Sequence, residues 1–323
     1  MNLSKNTMQM TETALMAAVM AVLSTIGILY IPIVLLFLPV PFIVLGIKNS
    51  LKSSVIALVA SALVATTLID PILVICMSLI TLAIGTGLVV SEKRKFSSAT
   101  ILGLTCLITV LTIVAMMGAL WFITGVSFAE VVGDFINSSK ELTIQMAEEL
   151  RAQGMLMFDH ELFMENLEQT AHIQALIIPS AIIMISFLLT YCSFWGSIVI
   201  LRKMQIKRRS VPKLERFALP NNVLLGFLVI TMGIFVVGEL DFIHYEALVW
   251  NVVVLVSSVL FLQGTGVGLY LIRRSPIPKA VQIILMGFIF LFTPYVFTLC
   301  GLIDVIVDFR KIKKMGNGDR NEN

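Results

Sequence analysis

The chain has 323 residues, of which 58% are hydrophobic and only 13% charged; its mean hydropathy is +0.97 and its formal net charge +3. A soluble chain of this length carries about one-quarter charged residues, so the composition excludes a water-soluble domain and a disordered chain. Porin-type barrels read as short alternating segments, whereas the apolar runs here are long and continuous. What remains is an all-α, polytopic transmembrane helix bundle with material for roughly eight or nine spans of about 20 residues each.

In chain order, the first span covers residues 13–29. Lys5 precedes it, but no small-residue cleavage site with a polar start appears and a second apolar run follows at once. It therefore reads as an uncleaved crossing. The second span, 33–47, carries Pro39 and Pro41 and is expected to bend or partly unwind. Lys48 and Lys52 follow. The third runs 53–69 and stops at Asp70-Pro71, a turn signal. The fourth, 72–90, ends in Glu92, Lys93, Arg94 and Lys95, and the fifth covers 99–124. Residues 1–124 thus form a membrane part of about five spans.

Residues 125–171 are acidic and polar. Glu130, Asp134, Glu141, Glu148, Glu149, Asp159, Glu161, Glu165 and Glu168 stand against Lys140 and Arg151. Apolar residues nevertheless recur at helical spacing: Phe128, Val131, Val132, Phe135 and Ile136, then Leu142, Met146 and Leu150. That stripe predicts an amphipathic outer helical segment lying on the membrane or on the bundle.

The segment 172–216 holds the sixth span, 173–201, and the strongest basic cluster: Arg202, Lys203, Lys207, Arg208, Arg209, Lys213 and Arg216. A C-terminal membrane part, 217–311, follows. Its seventh span, 222–237, ends in Glu239 and Asp241, and its eighth, 247–272, ends in Arg273, Arg274 and Lys279. The last apolar run, 281–307, is interrupted by Pro294 and holds Asp304 near its end, with Asp308, Arg310 and Lys311 beyond; 312–323 is a polar tail.

Cytoplasmic loops are enriched in Lys and Arg. With the N-terminus in the cytoplasm, every basic loop up to Lys279 falls inside, and Asp70, 125–171 and the turn at Glu239–Glu246 fall outside. Trp121 and Trp250 then sit at the outer interface. A ninth full crossing would place Arg310, Lys311, Lys313 and Lys314 outside. The side of the C-terminus therefore stays open.

Charges inside a membrane are functional by default, and no Glu, His, Lys or Arg lies mid-span, while Asp70, Asp304 and Asp308 read as span ends. This argues against a self-powered ion-coupled pump. Cys76, Cys106, Cys192 and Cys300 lie in apolar runs without a CxxC pair, and His160-Glu161 lacks a second His at zincin spacing. No metal or cofactor is expected. No Walker-type loop, nucleophile elbow or convergent Ser/His/Asp set appears, so the chain is not expected to be an enzyme. The basic residues sit in short loops, which does not suit nucleic acid.

Small residues give the sharpest local pattern. Ala14, Ala17, Ala18 and Ala21 share a face of the first span; Ala57, Ser61 and Ala65 do so on the third; Gly264 and Gly268 form a GxxxG pair. Such faces let helices approach closely. They fit either internal packing or docking of a partner helix.

At these residues the sequence resembles the YybS family of bacterial membrane proteins. The likeness lies in the Ala-rich first span opened by Thr13, in Leu38-Pro39-Val40-Pro41-Phe42, in Gly46 and Lys48, and in Pro179 and Leu219-Pro220. Its most specific part is the closing Gly301-Leu302-Ile303-Asp304 with Asp308-Phe309-Arg310. The resemblance implies a multi-pass protein of the bacterial cytoplasmic membrane and brings no activity with it. Residues 8–95 are also similar to the substrate-binding S subunits of energy-coupling factor vitamin transporters. That likeness implies a small-molecule site near the outer face. It also implies a first-helix AxxxA face, matched by Ala14/Ala18 and Ala17/Ala21, that docks a transmembrane coupling subunit working with separate ATPases. The further spans and the acidic outer segment depart from that pattern.

The function expected first is therefore a small-molecule binding or transport subunit in the lipid bilayer, with energy from another protein. Solute would enter between the Tyr30-Ile31-Pro32 turn, the Asp70-Pro71 turn and segment 125–171, with Tyr30, Asp70 and Trp121 as contacts. The alternative is a scaffold or regulator of the cell envelope acting through the outer helix or the 202–216 loop.

Overall fold

The computed structural model describes residues 2–155, 159–206, 217–219, 222–239, 244–308 and 310. Part of the basic cluster (207–216), Pro220, Asp241, Phe309 and the polar tail lie outside the described residues. In a bilayer every backbone polar group must be satisfied within the chain, and among the described residues all regular structure is helical.

Helix α1 (Asn2–Leu29) starts upstream of the apolar run. The second run opens as a 3₁₀ segment, η1 (Pro32–Phe37), before α2 (Pro39–Lys48). Pro39 and Pro41 stand in the first turn of α2, where their missing N–H groups cost nothing. Helix α3 (Leu51–Ala65) is capped by Ser50, which accepts from the Ser53 N–H. Asp70 caps α4 (Pro71–Lys93), accepting from the Ile72 and Leu73 N–H groups. Helix α5 (Ser98–Thr124) ends at Gly125, whose φ of 72° is left-handed.

The acidic stretch forms α6 (Phe128–Ala152) and α7 (His160–Leu176). Then come α8 (Ile178–Lys203), α9 (Val223–Glu239), α10 (Tyr245–Arg274), α11 (Lys279–Phe292) and α12 (Pro294–Val307).

Among the described residues, five helices are long and apolar enough to cross a membrane: α1 from Asn6 onward, α4, α5, α8 and α10. The α11–α12 pair, bent by 97° at Thr293, makes a sixth if counted as one span. The other apolar runs of the sequence appear as shorter helices, over 32–48, 51–65 and 223–239. A helix of 15 residues such as α3 is about 22 Å long, against about 30 Å of hydrocarbon. Apolar runs and bilayer-length helices are therefore different counts in this chain.

The chain divides into two units. The first comprises residues 1–131 and 182–211. Its core joins Met20 of α1, Phe42 and Leu45 of α2, and Ala57 and Leu58 of α3. A second cluster gathers Ile43, Ile84, Leu88, Ile101, Leu102, Phe194 and Ile198 from α2, α4, α5 and α8. Phe42 lies against Gly85, where a side chain would overlap its ring. Glu12 pairs with Lys48 at 2.6 Å and accepts from Asn49, tying the start of α1 to the end of α2.

The second unit comprises residues 132–181 and 212–323. Its centre is α10 against α12. A methyl at Gly264 would overlap the Phe297 carbonyl, and one at Gly301 the Leu260 carbonyl. The two backbones thus touch with no side chain between them. Gly268 faces the ring of Phe297 and the sulfur of Met286. Asn251 of α10 donates to the Leu176 carbonyl and accepts from the Ser180 N–H, bridging the break between α7 and α8.

Candidate functional site

In the first unit, α1 and α3 leave an open groove of about 550 Å³. Ala14 and Ala17 line it from one side, and Ser53, Ala57 and Ala60 from the other. Near its α1 end it is polar, with Asn6, Gln9 and Thr13. The small residues divide between two jobs. Ala17 and Ala21 are buried on the inner side of α1, and Ala57, Ser61 and Ala65 are buried on α3. Ala14, Ala18 and Ala60 are exposed. The alanines of α1 therefore face both the chain itself and its surroundings.

Two further cavities of this unit are apolar. One, of about 460 Å³, lies along the C-terminal half of α5, lined by Met116, Met117, Leu120 and Phe128. The other, of about 350 Å³, lies between α3 and α4. Neither has a charged lining residue. Thr105, Ser186 and Thr190 are fully buried, and their hydroxyls have no hydrogen-bond partner within the described residues. Buried hydroxyls are nearly always bonded, so these three mark polar capacity inside the unit. Thr105 also packs on Gly87 of α4.

Tyr30, Asp70 and Trp121 line none of these cavities. Tyr30 is 75% and Trp121 60% exposed. The Asp70 carboxylate is engaged as the α4 cap at 2.8 and 3.3 Å.

In the second unit, the end of α12 holds a polar centre. Asp304 and Arg310 have side chains 3% and 0% exposed. Arg310 donates to Asp304 Oδ2 through Nε at 3.1 Å and Nη2 at 2.8 Å. Gln263 of α10 donates to the same oxygen at 2.6 Å. The Arg310 N–H reaches Asp304 Oδ1 at 3.4 Å. Two backbone groups join them: the Phe217 carbonyl accepts from Arg310 Nη2 at 2.7 Å, and the Leu219 N–H donates to Gln263 Oε1 at 3.1 Å. An ion pair removed from water needs this density of partners.

The sequence places Asp304 at a span end and Arg310 just beyond it, gives neither a site role, and passes over Gln263. The usable signal was the closing stretch from Gly301 to Arg310, which carried the most specific part of the resemblance.

On the acidic segment, α6 buries Ile136 and Ala147. Val131, Phe135, Leu142 and Met146 remain exposed. Lys140 pairs with Glu168 of α7 at 2.6 Å, and His172 stands 3.6 Å from Glu246. Among the described residues no three His, Cys, Asp or Glu side chains gather as metal ligands.

The chain belongs to the family described as "Predicted membrane protein (DUF2232)", which matches residues 14–305. The match runs from Ala14 in the α1 groove to the residue after Asp304. No curated protein and no solved structure matches the chain.

Proposed function

We propose that this membrane protein is a small-molecule binding or transport subunit that works through a partner, resembling the S component of an energy-coupling factor transporter. The groove between α1 and α3 is the observation that carries this reading. Its lining of Ala14, Ala17, Ala57 and Ala60 lets another helix approach the backbone closely, where packing and Cα–H contacts replace the missing hydrophobic drive between helices in lipid. An acyl chain needs no such small-residue lining. The occupant is a helix of a transmembrane coupling subunit, and separate ATPases supply the energy. The unpartnered hydroxyls of Thr105, Ser186 and Thr190 support a polar solute or water inside the same unit.

The chain lies in the bacterial cytoplasmic membrane with its N-terminus inside. Lys48, Lys52, residues 93–95 and Arg273–Arg274 then face the cytoplasm, as the bias of basic loops favours. Eight or nine crossings follow if the three shorter apolar stretches also span, by bending or local thinning of the bilayer.

Site-specific photocrosslinking tests the docking. A crosslinker at Ala14 or Ala60 captures a polytopic membrane protein that co-purifies with an ATPase pair, and Ala14→Leu abolishes the capture at Ala60. Equal capture with Ala14→Leu present contradicts the reading. The second reading, an envelope scaffold or regulator, is favoured by the exposed Val131, Phe135, Leu142 and Met146 stripe of α6. It gains if crosslinkers on that stripe, and not in the groove, capture a partner.

A further inference from the structure

A helix offers a buried Ser or Thr a ready partner, the carbonyl three or four residues back. The first unit uses it repeatedly. Ser61, Thr86, Thr109, Thr112 and Ser197 each donate to such a carbonyl at 2.6–2.9 Å. Thr105, Ser186 and Thr190 are fully buried in helices of the same unit, yet their hydroxyls have no partner within the described residues. An unbonded buried hydroxyl bears its whole desolvation cost. These three are turned away from their own helices and into the interior. Thr105 Oγ1 points at Gly87 of α4, standing 3.1 Å from where a Cβ would be.

Two contacts fix how α5 and α8 pass each other. Ile101 and Leu102, near the start of α5, share a cluster with Phe194 and Ile198, near the end of α8. Met116 and Met117 line a cavity together with Ile182. The two helices therefore run antiparallel. Thr105 on one, and Ser186 and Thr190 on the other, lie between the two contacts. Ser186, Thr190 and Ser193 share one face of α8 by their spacing, and Ser193 donates to the Leu36 carbonyl of η1 at 3.1 Å. The hydroxyls thus border the segment where the backbone is not α-helical. Broken helices buried in a membrane protein are where polar solutes are held.

Ionic groups are missing from the same elements. Helix α5 and η1 contain no Asp, Glu, Lys, Arg or His, and α8 contains none before Arg202. A charged solute there would lose its hydration without a counter-charge to replace it. An uncharged one needs only hydrogen bonds, and each hydroxyl can donate one and accept others. We infer that Thr105, Ser186 and Thr190 line a site for one uncharged, hydrogen-bonding small molecule between α5, α8 and η1. This deepens the solute-binding reading and rests on it. The hydroxyls are bare in the solute-free protein and bonded in the loaded one, so their unpaired cost is recovered on binding.

The probe is a methanol extract of the cells that make the protein, incubated with the purified full chain. Native mass spectrometry identifies what is retained, and calorimetry gives its affinity. The expected compound is uncharged at neutral pH, and Thr105→Val, Ser186→Ala and Thr190→Val each weaken its binding roughly tenfold. Thr190→Ser, which keeps the hydroxyl, should bind as the parent does. So should Thr109→Val, whose hydroxyl is already spent on the Thr105 carbonyl at 2.8 Å. A retained compound that carries net charge, or one held equally by the parent and all three variants, overturns the inference and leaves the solute-binding reading standing. Nothing retained by the parent overturns both. A solute-free Thr190→Val protein less stable than the parent would show water in the site, and also overturns the inference. Val keeps the shape of Thr, so the Thr190→Val and Thr190→Ser pair decides the question even where another variant fails to fold.

Discussion

Removing the Asp304 carboxylate should destabilise the second unit far more than removing its ion pair altogether. Asp304 accepts from Gln263 Nε2 and from three groups of Arg310. Asp304→Ala leaves the fully buried Arg310 guanidinium without its counter-charge, and breaking a buried pair on one side costs about 3–5 kcal/mol. Arg310→Ala leaves a buried carboxylate with Gln263 and should cost a similar amount. The double variant Asp304→Leu with Arg310→Met removes both charges and keeps the volume, so it should lie within about 1 kcal/mol of the parent or above it. Reversible SDS titration of the purified protein, followed by circular dichroism, gives the four corners of the cycle. The reasoning fails if either single variant loses less than about 1 kcal/mol, or if the double variant loses the sum of both.

Three further outcomes follow from the same contacts. Gly264→Ala should cost at least the upper part of the about 1–3 kcal/mol typical of overpacking, because it meets a backbone carbonyl. Gly268→Ala, which meets only a ring and a flexible thioether, should cost clearly less in the same titration. Thr190→Val should stabilise the solute-free protein by about 1 kcal/mol if its buried hydroxyl is unbonded. A loss of stability would show that a bound water or solute satisfies it. Asp70→Ala should cost about 1 kcal/mol through the lost α4 cap, and Asp70→Ser should restore most of it. If Asp70→Ser still abolishes solute retention, Asp70 is a solute contact as well as a cap.

Local chemistry made much of this legible in sequence. Pro39 and Pro41 announce the break that appears as η1 and α2, and Asp70-Pro71 announces the start of α4. The helical, membrane-embedded character of the described residues follows from composition together with the length of the apolar runs. The span count was less legible, because an apolar run shows what tolerates lipid and says little of where a helix starts or bends. The alanines of α1 illustrate a second limit. Ala17 and Ala21 are buried while Ala14 and Ala18 are exposed, yet all four share one small-residue face. The polar centre shows a third. Gln263 carries no charge and Arg310 sits beside a polar tail, so a scan for mid-span ions passes both. Only the tertiary contact with Asp304 brings them together.

The central claim is that the chain acts with a partner docked in the α1–α3 groove. Purification of the tagged protein from its native membrane into native-lipid particles, with proteins and small molecules both identified by mass spectrometry, tests it most directly. The account predicts a polytopic coupling subunit with an ATPase pair and a stoichiometric metabolite, all lost together from Ala14→Leu particles. Recovery of envelope proteins alone, without metabolite and unchanged by Ala14→Leu, would contradict it.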